Sequence, residues 1–359
     1  MTTGIIYDPA YLKHEQGPIH PERSERLSYT LDQLEEEGIF DLPEIVLIPP
    51  RAATREEVLR VHTATYLEYL EQESILGGII DCDTMIHPGL ITDALLAAGG
   101  AITGADAVLD QVVTNSFVLC RPPGHHATAE RGAGFCYLNN VAIMVRHLQR
   151  RGMRRVLIID WDAHHGNGTE SIFYDDPSVL FCSVHQYPFY PGSGRAEDIG
   201  IDEGKGYTIN LPVPAGSSDQ VYQYLLSEMI IPITEEFEPD CIAISAGQDN
   251  HFTDPLTGLA LTAHGYASLM QEIRILADSI CNGRLIAVLE GGYSVEGGLP
   301  YTNLGIIAAM AGLDISSIRE PDTLNELFAR SVSDTALHRT RTMVQAHKIR
   351  LSPYWGCMR

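Results

Sequence analysis

Short apolar runs rich in β-branched residues alternate along this chain with longer segments of helical spacing, and that alternation constrains the fold more than any other feature. The runs occupy residues 44–48, 117–120, 156–160, 179–184, 241–245 and 285–289. They are too short for helices and too continuously apolar for strands with one wet face, so they read as strands buried on both sides. Residues 24–37, 91–112, 141–150, 221–237, 263–280 and 303–311 lie before, between and after them and carry the spacing of helices. Such alternation predicts an α/β fold, a mostly parallel sheet with helices on both faces. The polar or Gly/Pro-rich stretches 51–57 and 187–206 are expected to be loops.

At 359 residues, length alone allows one large domain or two medium ones. No repeat, low-complexity tract or charge block divides the pattern, so one domain spanning 1–359 is expected, with its core at about 4–313. Residues 319–359 read as an appended element on the outside, with a short helix at 324–330. Hydrophobic residues make up 45% and charged ones 20%, enough apolar sequence for a sizeable core and too much for a disordered chain. The net charge of −23 argues against nucleic acid as a partner, since that binding draws on Lys and Arg. A neutral or cationic ligand fits this charge, although an acidic surface also serves solubility alone. Residues 1–10 carry no basic-then-apolar leader, and no uninterrupted apolar run reaches membrane-spanning length. A cytoplasmic location without a membrane partner is therefore expected. Seven cysteines (Cys82, Cys120, Cys136, Cys182, Cys241, Cys281, Cys357) are scattered without a CxxC pair, which fits neither a disulfide framework nor a cysteine zinc site.

Ligands of open α/β sheets bind beyond the carboxyl ends of the strands, so the polar residues that follow the apolar runs matter most. Four runs lead into such residues: Arg121-Pro-Pro-Gly-His125-His126, Asp160-Trp-Asp162-Ala-His164-His165-Gly-Asn167, Ser-Ala-Gly-Gln-Asp249 and Glu290-Gly291-Gly292-Tyr293. Alternate residues of an extended segment point the same way, which places Asp160, Asp162 and His164 on one face. An imidazole and two carboxylates suit a catalytic zinc, with Asp249 as the third ligand and a position left for water. A lone Asp after a strand more often caps a helix, and Asp249 taken by itself divides evenly between the two readings. The pair Asp162 and His164 stands on its spacing.

His125 and His126 follow a Pro-Pro-Gly turn and titrate near neutrality, as a general base and a general acid must. A tandem His in a loop is ordinarily a surface feature; beside a metal site, catalysis is the better account. At Gly291 and Gly292 the backbone can bend closely around a ligand, and the Tyr293 hydroxyl is placed to donate to a developing oxyanion.

Together with His20-Pro-Glu-Arg-Ser-Glu-Arg26-Leu and Gly134-Phe135-Cys-Tyr-Leu-Asn-Asn, these motifs resemble the histone deacetylase family, including its acetylpolyamine amidohydrolase and bacterial and archaeal deacetylase-like relatives. The resemblance runs from about His20 to Gly312 and implies the single-domain arginase/deacetylase-like fold. It implies one Zn2+ per chain on Asp162, His164 and Asp249, an acid/base pair in His125 and His126, and Tyr293 as oxyanion donor. It makes Asp160 the partner that fixes the tautomer of His125, and lines an acyl-lysine tunnel with Phe135 and Tyr190 beside Gly134, Leu256, Gly291 and Gly292. Arg26 becomes an interior arginine near the channel floor. It further implies structural K+ or Na+, held by the side chain of Ser183 and by backbone carbonyls of Asp160, Asp162, His164 and Val184.

Asn167 stands where the nuclear branch has an aspartate beside the second histidine, which with Glu290 looks like the class II pattern and leaves the roles of the two histidines open. Leu256 stands where one polyamine-preferring branch has a glutamate. The implied reaction is hydrolysis of an acylated amine, on acetyl-lysine protein or acetylpolyamine, and a homo-oligomer is compatible with it. An arginase-type ureohydrolase shares Asp162-Ala-His164 but needs two further aspartates where this chain has Gly166 and His251. His251 is within reach of the rim, although its ordinary reading is a loop histidine. A non-catalytic acyl-lysine reader conflicts with the complete set of ligands, histidines and Tyr293.

Overall fold

The computed structural model describes residues 1–359. Its strands are β1 (Thr3–Ile6), β2 (Ile45–Ile48), β3 (Gly78–Asp81), β4 (Thr84–Ile86), β5 (Asn115–Val118), β6 (Val156–Asp160), β7 (Val179–Gln186), β8 (Thr208–Val213), β9 (Cys241–Ala246) and β10 (Leu285–Leu289). Eight form one sheet in the order β2-β1-β5-β10-β9-β6-β7-β8, with every neighbouring pair parallel. Every residue of β5, β6, β9 and β10 is buried; β6, β9 and β10 are mostly apolar, as strands covered on both faces require, while β5 opens with the buried polar pair Asn115 and Ser116. Strands β3 and β4 make a separate antiparallel hairpin.

Helices flank the sheet. Glu25–Glu36 and Ala263–Cys281 both pack on Gly298–Ala311, and Leu90–Leu109 packs on Asn140–Arg150. The helix Leu90–Leu109 has the length and composition to cross a bilayer, yet most of its apolar positions are buried against β5, β1 and its helical neighbours. The segment expected as one helix over 221–237 is Asp219–Leu225 and Ile231–Phe237 joined by a wider π-type turn. Pro232 lacks the N–H that a regular turn would use, and the widened turn absorbs the mismatch.

The expected loop at 51–57 instead runs into the helix Arg55–Val58, started by a capping box in which Thr54 and Glu57 bond each other's backbone. The region 319–359 is more than an outer appendage. A helix Ala336–Leu351 follows the exposed Asn325–Ser331, and Ala336, Val344, Leu351, Trp355 and Met358 join the main core. The indole N–H of Trp355 donates to Gly206 O at 2.7 Å.

Candidate active site

Four adjacent strands, β5, β10, β9 and β6, bring the polar residues together at their carboxyl ends. Asp160 ends β6 in register with Ser183 on β7 and Ser245 on β9. Asp249 follows β9, and Glu290 to Tyr293 follow β10. The loop after β5 delivers His125 and His126, and the buried Glu290 carboxylate shapes it by accepting the N–H groups of Gly124 at 2.6 Å and His125 at 3.1 Å. The Ser183 hydroxyl lies 2.9 Å from His185 Nδ1.

Asp162, His164 and Asp249 turn their ligand atoms to one point, all within 4.8 Å of one another. His164 Nδ1 is 3.2 Å from Asp162 Oδ1 and 2.8 Å from Asp249 Oδ2. Backbone N–H groups hold the carboxylates: Gly291 donates to Asp162 at 2.8 Å, and Ala163 to Asp249 at 2.8 Å. A Cβ on Gly291 would stand 2.6 Å from an oxygen of each aspartate, so only glycine admits this approach. Burial and the facing Asp162 raise the pKa of Asp249, while His125 and His164 overcome burial and hold Asp162 well below its ordinary value. Two buried carboxylates confronting each other around an imidazole call for a cation, and this donor set fits tetrahedral zinc with one place for water.

The imidazoles of His125 and His126 lie 4.0 Å apart between centroids. His125 Nδ1 is 3.0 Å from Asp160 Oδ2, whereas His126 Nδ1 is 2.8 Å from Asn167 Oδ1. Burial works against charge on both rings, but their surroundings differ. Asp162 and Asp160 outweigh burial at His125 and push it up to about 10, while the neighbouring His125 and His164 push His126 further down. Asn167 accepts the His126 Nδ1 hydrogen without supplying a charge, which leaves Nε2 bare toward the cavity.

Tyr293 is nearly buried, with the Arg26 guanidinium 4.9 Å from its ring centroid. Arg26 donates to Gly292 O at 2.6 Å and to Glu290 O, and its charge is met by Glu22 at 3.0 Å, which also pairs with Arg121. The Tyr293 N–H donates to Asp254 at 2.7 Å. Burial raises the Tyr293 pKa, so the phenol keeps its proton as a donor must.

A cavity of about 400 Å³ opens above these groups, lined by His126, His164 and Tyr293 at depth and by Phe135, Phe189, Tyr190 and Leu256 on its walls. Phe189 stacks on His164 at 5.4 Å, and Tyr190 meets the edge of His126 at 5.2 Å. Gly134 and Phe135 both have positive φ, +53° and +68°. At Gly134 the lack of space also demands glycine, since a Cβ would lie 2.6 Å from the ring of His126.

The structure thus gathers His125, His126, Asp160, Asp162, His164, Asn167, Asp249 and Tyr293 into one site. Gly134, Phe135, Tyr190 and Leu256 line its cavity, and Gly291, Gly292 and Arg26 lie behind it. Ser183 and Val184 sit beside Asp160 on β7. His251 does not reach the site: it is buried, 2.7 Å from Glu320, and fastens the tail to the end of β9. Sequence reasoning missed Phe189, Asp254, and the mouth residues His20, Pro21 and Asp83. His20 and Pro21 stood in a recognised motif; Asp83 reaches the mouth only because the β3–β4 hairpin folds over it.

Residues 20–302 match the model of the histone deacetylase domain. The chain is 57% identical to the "Probable deacetylase" of Archaeoglobus fulgidus, across 100% of both chains. It is 37% identical to the "Histone deacetylase-like amidohydrolase" of Pseudomonas aeruginosa, across 89% of this chain and 82% of that one. A solved structure, "Crystal Structure of HDA15 HD domain", superimposes with a TM-score of 0.87 at 31% identity, covering 99% of this chain and 97% of that one. With the arginase/deacetylase-like α/β fold and a metal-ligand cluster at its strand ends, the chain belongs to the histone deacetylase family.

Proposed function

We propose that the protein is a zinc-dependent deacylase that hydrolyses the amide of an N-acetylated or N-acylated amine such as acetyl-lysine, releasing acetate. The observation that carries this reading is the Asp162, His164 and Asp249 cluster at the floor of an aromatic-walled cavity that also presents His126 and Tyr293. Zinc held by those ligands would supply Lewis acidity to the acyl oxygen and acidify a water. His126, with its Nδ1 hydrogen directed at Asn167, accepts the proton of the attacking water on Nε2. Tyr293 donates to the acyl oxygen as negative charge develops there. His125, kept charged by Asp160, gives its proton to the leaving nitrogen as the C–N bond breaks, and carboxylate and free amine result. The monovalent cation belongs to the same proposal, beside Ser183 and Val184.

Phe135, Phe189 and Tyr190 suit the apolar stem of an acylated lysine. The exposed Asp83 at the mouth suits a substrate that carries N–H groups or positive charge nearby. Acetylpolyamines meet the same description, while Leu256 offers their second ammonium no partner.

The test is turnover by zinc-loaded protein on acetyl-lysine peptides, acetylpolyamines and longer acyl amines. Acetate release that a chelator abolishes and zinc restores is expected. Absence of turnover on every acyl amine would overturn the reading in favour of a reader, and urea release from arginine would overturn it in favour of a ureohydrolase.

A further inference from the structure

A second constellation of metal-ligating side chains lies away from the active site, where the N-terminal segment meets the hairpin. His14 follows the short helix Pro9–Lys13, His87 follows β4, and Asp93 stands in the first turn of the helix Leu90–Leu109. His14 is fully buried, and the side chains of His87 and Asp93 are 24% and 16% exposed, leaving a route from solvent. His14 Nδ1 lies 3.1 Å from His87 Nε2 and 3.6 Å from Asp93 Oδ2, and the last two atoms are 3.1 Å apart. A tetrahedral ion with bonds of roughly 2.0–2.1 Å has ligand atoms about 3.3 Å apart, so these three atoms outline one face of such a tetrahedron.

The outer nitrogen of the His87 ring is placed as it is in a metal-bound histidine. His87 Nδ1 is 3.0 Å from Pro88 O, a contact that puts the hydrogen on Nδ1 and leaves Nε2 bare toward Asp93. His14 Nε2 is buried 3.4 Å from the Glu22 carboxylate without a hydrogen bond to it, and the ring turns its Nδ1 to the cluster. Asp93 Oδ2 is buried and accepts no hydrogen bond, although His87 Nε2 stands 3.1 Å away, so this contact lies off the ring's donor direction. An imidazole pair hydrogen-bonded to each other would leave that oxygen unserved, whereas a cation between the three atoms serves all of them.

We propose that His14, His87 and Asp93 form a second metal site, which takes a divalent first-row transition ion such as zinc or cobalt and is completed by solvent. Two imidazoles and one carboxylate are the donors such ions favour, and three protein ligands leave a coordination place open. The ion is additional to the single one expected at the active centre, and the proposal rests on no part of the deacylase reading. It would fasten the segment after Pro9–Lys13 to the helix Leu90–Leu109. Through Glu22 it would adjoin the Arg121 and Arg26 pairs beneath Gly292.

The test is titration of chelator-stripped, full-length protein with Co2+, followed by calorimetry and by the visible absorption of four-coordinate cobalt. Two ions per chain are expected. His87→Gln and Asp93→Asn should each lose one equivalent and keep the other. The double variant His164→Ala/Asp249→Asn should retain one ion, with its cobalt band intact. Circular dichroism of each variant checks that it is folded, and the two routes to a single equivalent check each other. One ion per chain in folded wild-type protein would overturn the proposal, as would two ions that persist in both His87→Gln and Asp93→Asn. Acyl-amine turnover is read separately, so loss of the second ion and loss of the proposed activity are distinguishable.

Discussion

The Nδ1 nitrogen of His126 stands 2.8 Å from the side-chain oxygen of Asn167, an amide, while its neighbour His125 faces the carboxylate of Asp160 at 3.0 Å. Two adjacent histidines with unlike partners have unlike basicities, and the roles proposed for them rest on this difference.

Replacing Asn167 by Asp gives His126 a charged partner. A carboxylate at hydrogen-bond distance raises an imidazole pKa by about 1–3 units. The acid limb of the kcat/KM profile is expected to move to higher pH by about one unit in Asn167→Asp, with activity at acid pH falling several-fold. An unmoved acid limb would remove His126 from the base role.

Tyr293→Phe deletes one hydroxyl and keeps the ring packed against Arg26. Loss of an oxyanion donor costs about 10²–10³ in kcat, with KM little changed because the contact strengthens only in the transition state. Steady-state kinetics on the best acyl amine found measures both. A variant as fast as wild type would show that Tyr293 only packs.

Gly291→Ala sets a methyl group against both metal-binding aspartates, 2.6 Å from an oxygen of each. A carboxylate displaced by a few tenths of an ångström no longer converges with His164. Zinc affinity is expected to fall at least tenfold, read by competition with a chromophoric chelator, and activity should recover in part at high zinc concentration. Wild-type affinity would mean that the loop yields at no cost to the ligands.

His62 is buried, and its Nε2 accepts the N–H of Asn139, the residue that caps the helix Asn140–Arg150. Burial lowers its pKa from 6.5 to about 4. The unfolded chain therefore binds more protons than the folded one between those values, so stability rises with pH across that window and is lost as pH falls through it. The full difference is on the order of 3 kcal/mol. The fall in Tm between pH 6.5 and 4 should be shallower in His62→Gln than in wild type; equal slopes would assign the acid sensitivity to other groups.

Most central strands were legible because a strand buried on both faces tends to be apolar along its length; β5 was found two residues late, at 117–120 in place of Asn115–Val118, because it opens with Asn115 and Ser116. The chemistry was legible because it follows those strands directly. Strand β8 escaped notice because Pro212 interrupts it. It is an edge strand, where a missing N–H goes unneeded on the open side. Strand β1 is four residues long and carries Gly4, too little pattern to detect. The helix Ala336–Leu351 has a mostly polar surface and buries only a narrow stripe at Ala336, Thr340, Val344, His347 and Leu351. Phe189 and Asp83 lay in a loop and a hairpin tip whose folding over the cavity depends on tertiary contacts. The sequence signal that could have found Thr54 as a helix cap was its spacing from Glu57, four residues ahead of any apolar run.

In the strand order β5-β10-β9-β6, only β9 and β10 are consecutive in the chain. The ligands Asp162 and Asp249 follow strands that touch in space, although Asp249 lies 86 positions along the chain from Ala163, whose N–H it accepts. A cation held there joins β6 to β9 as a crosslink would, but one formed only after the distant parts of the chain have met. Its binding energy thus reports on completion of the whole sheet: removing it should lower the melting temperature of the entire domain and not of one loop. Partly assembled chains, lacking one of the two strands, would hold the ion no better than an unfolded polymer. Metal retention can then serve as a folding assay that needs no substrate.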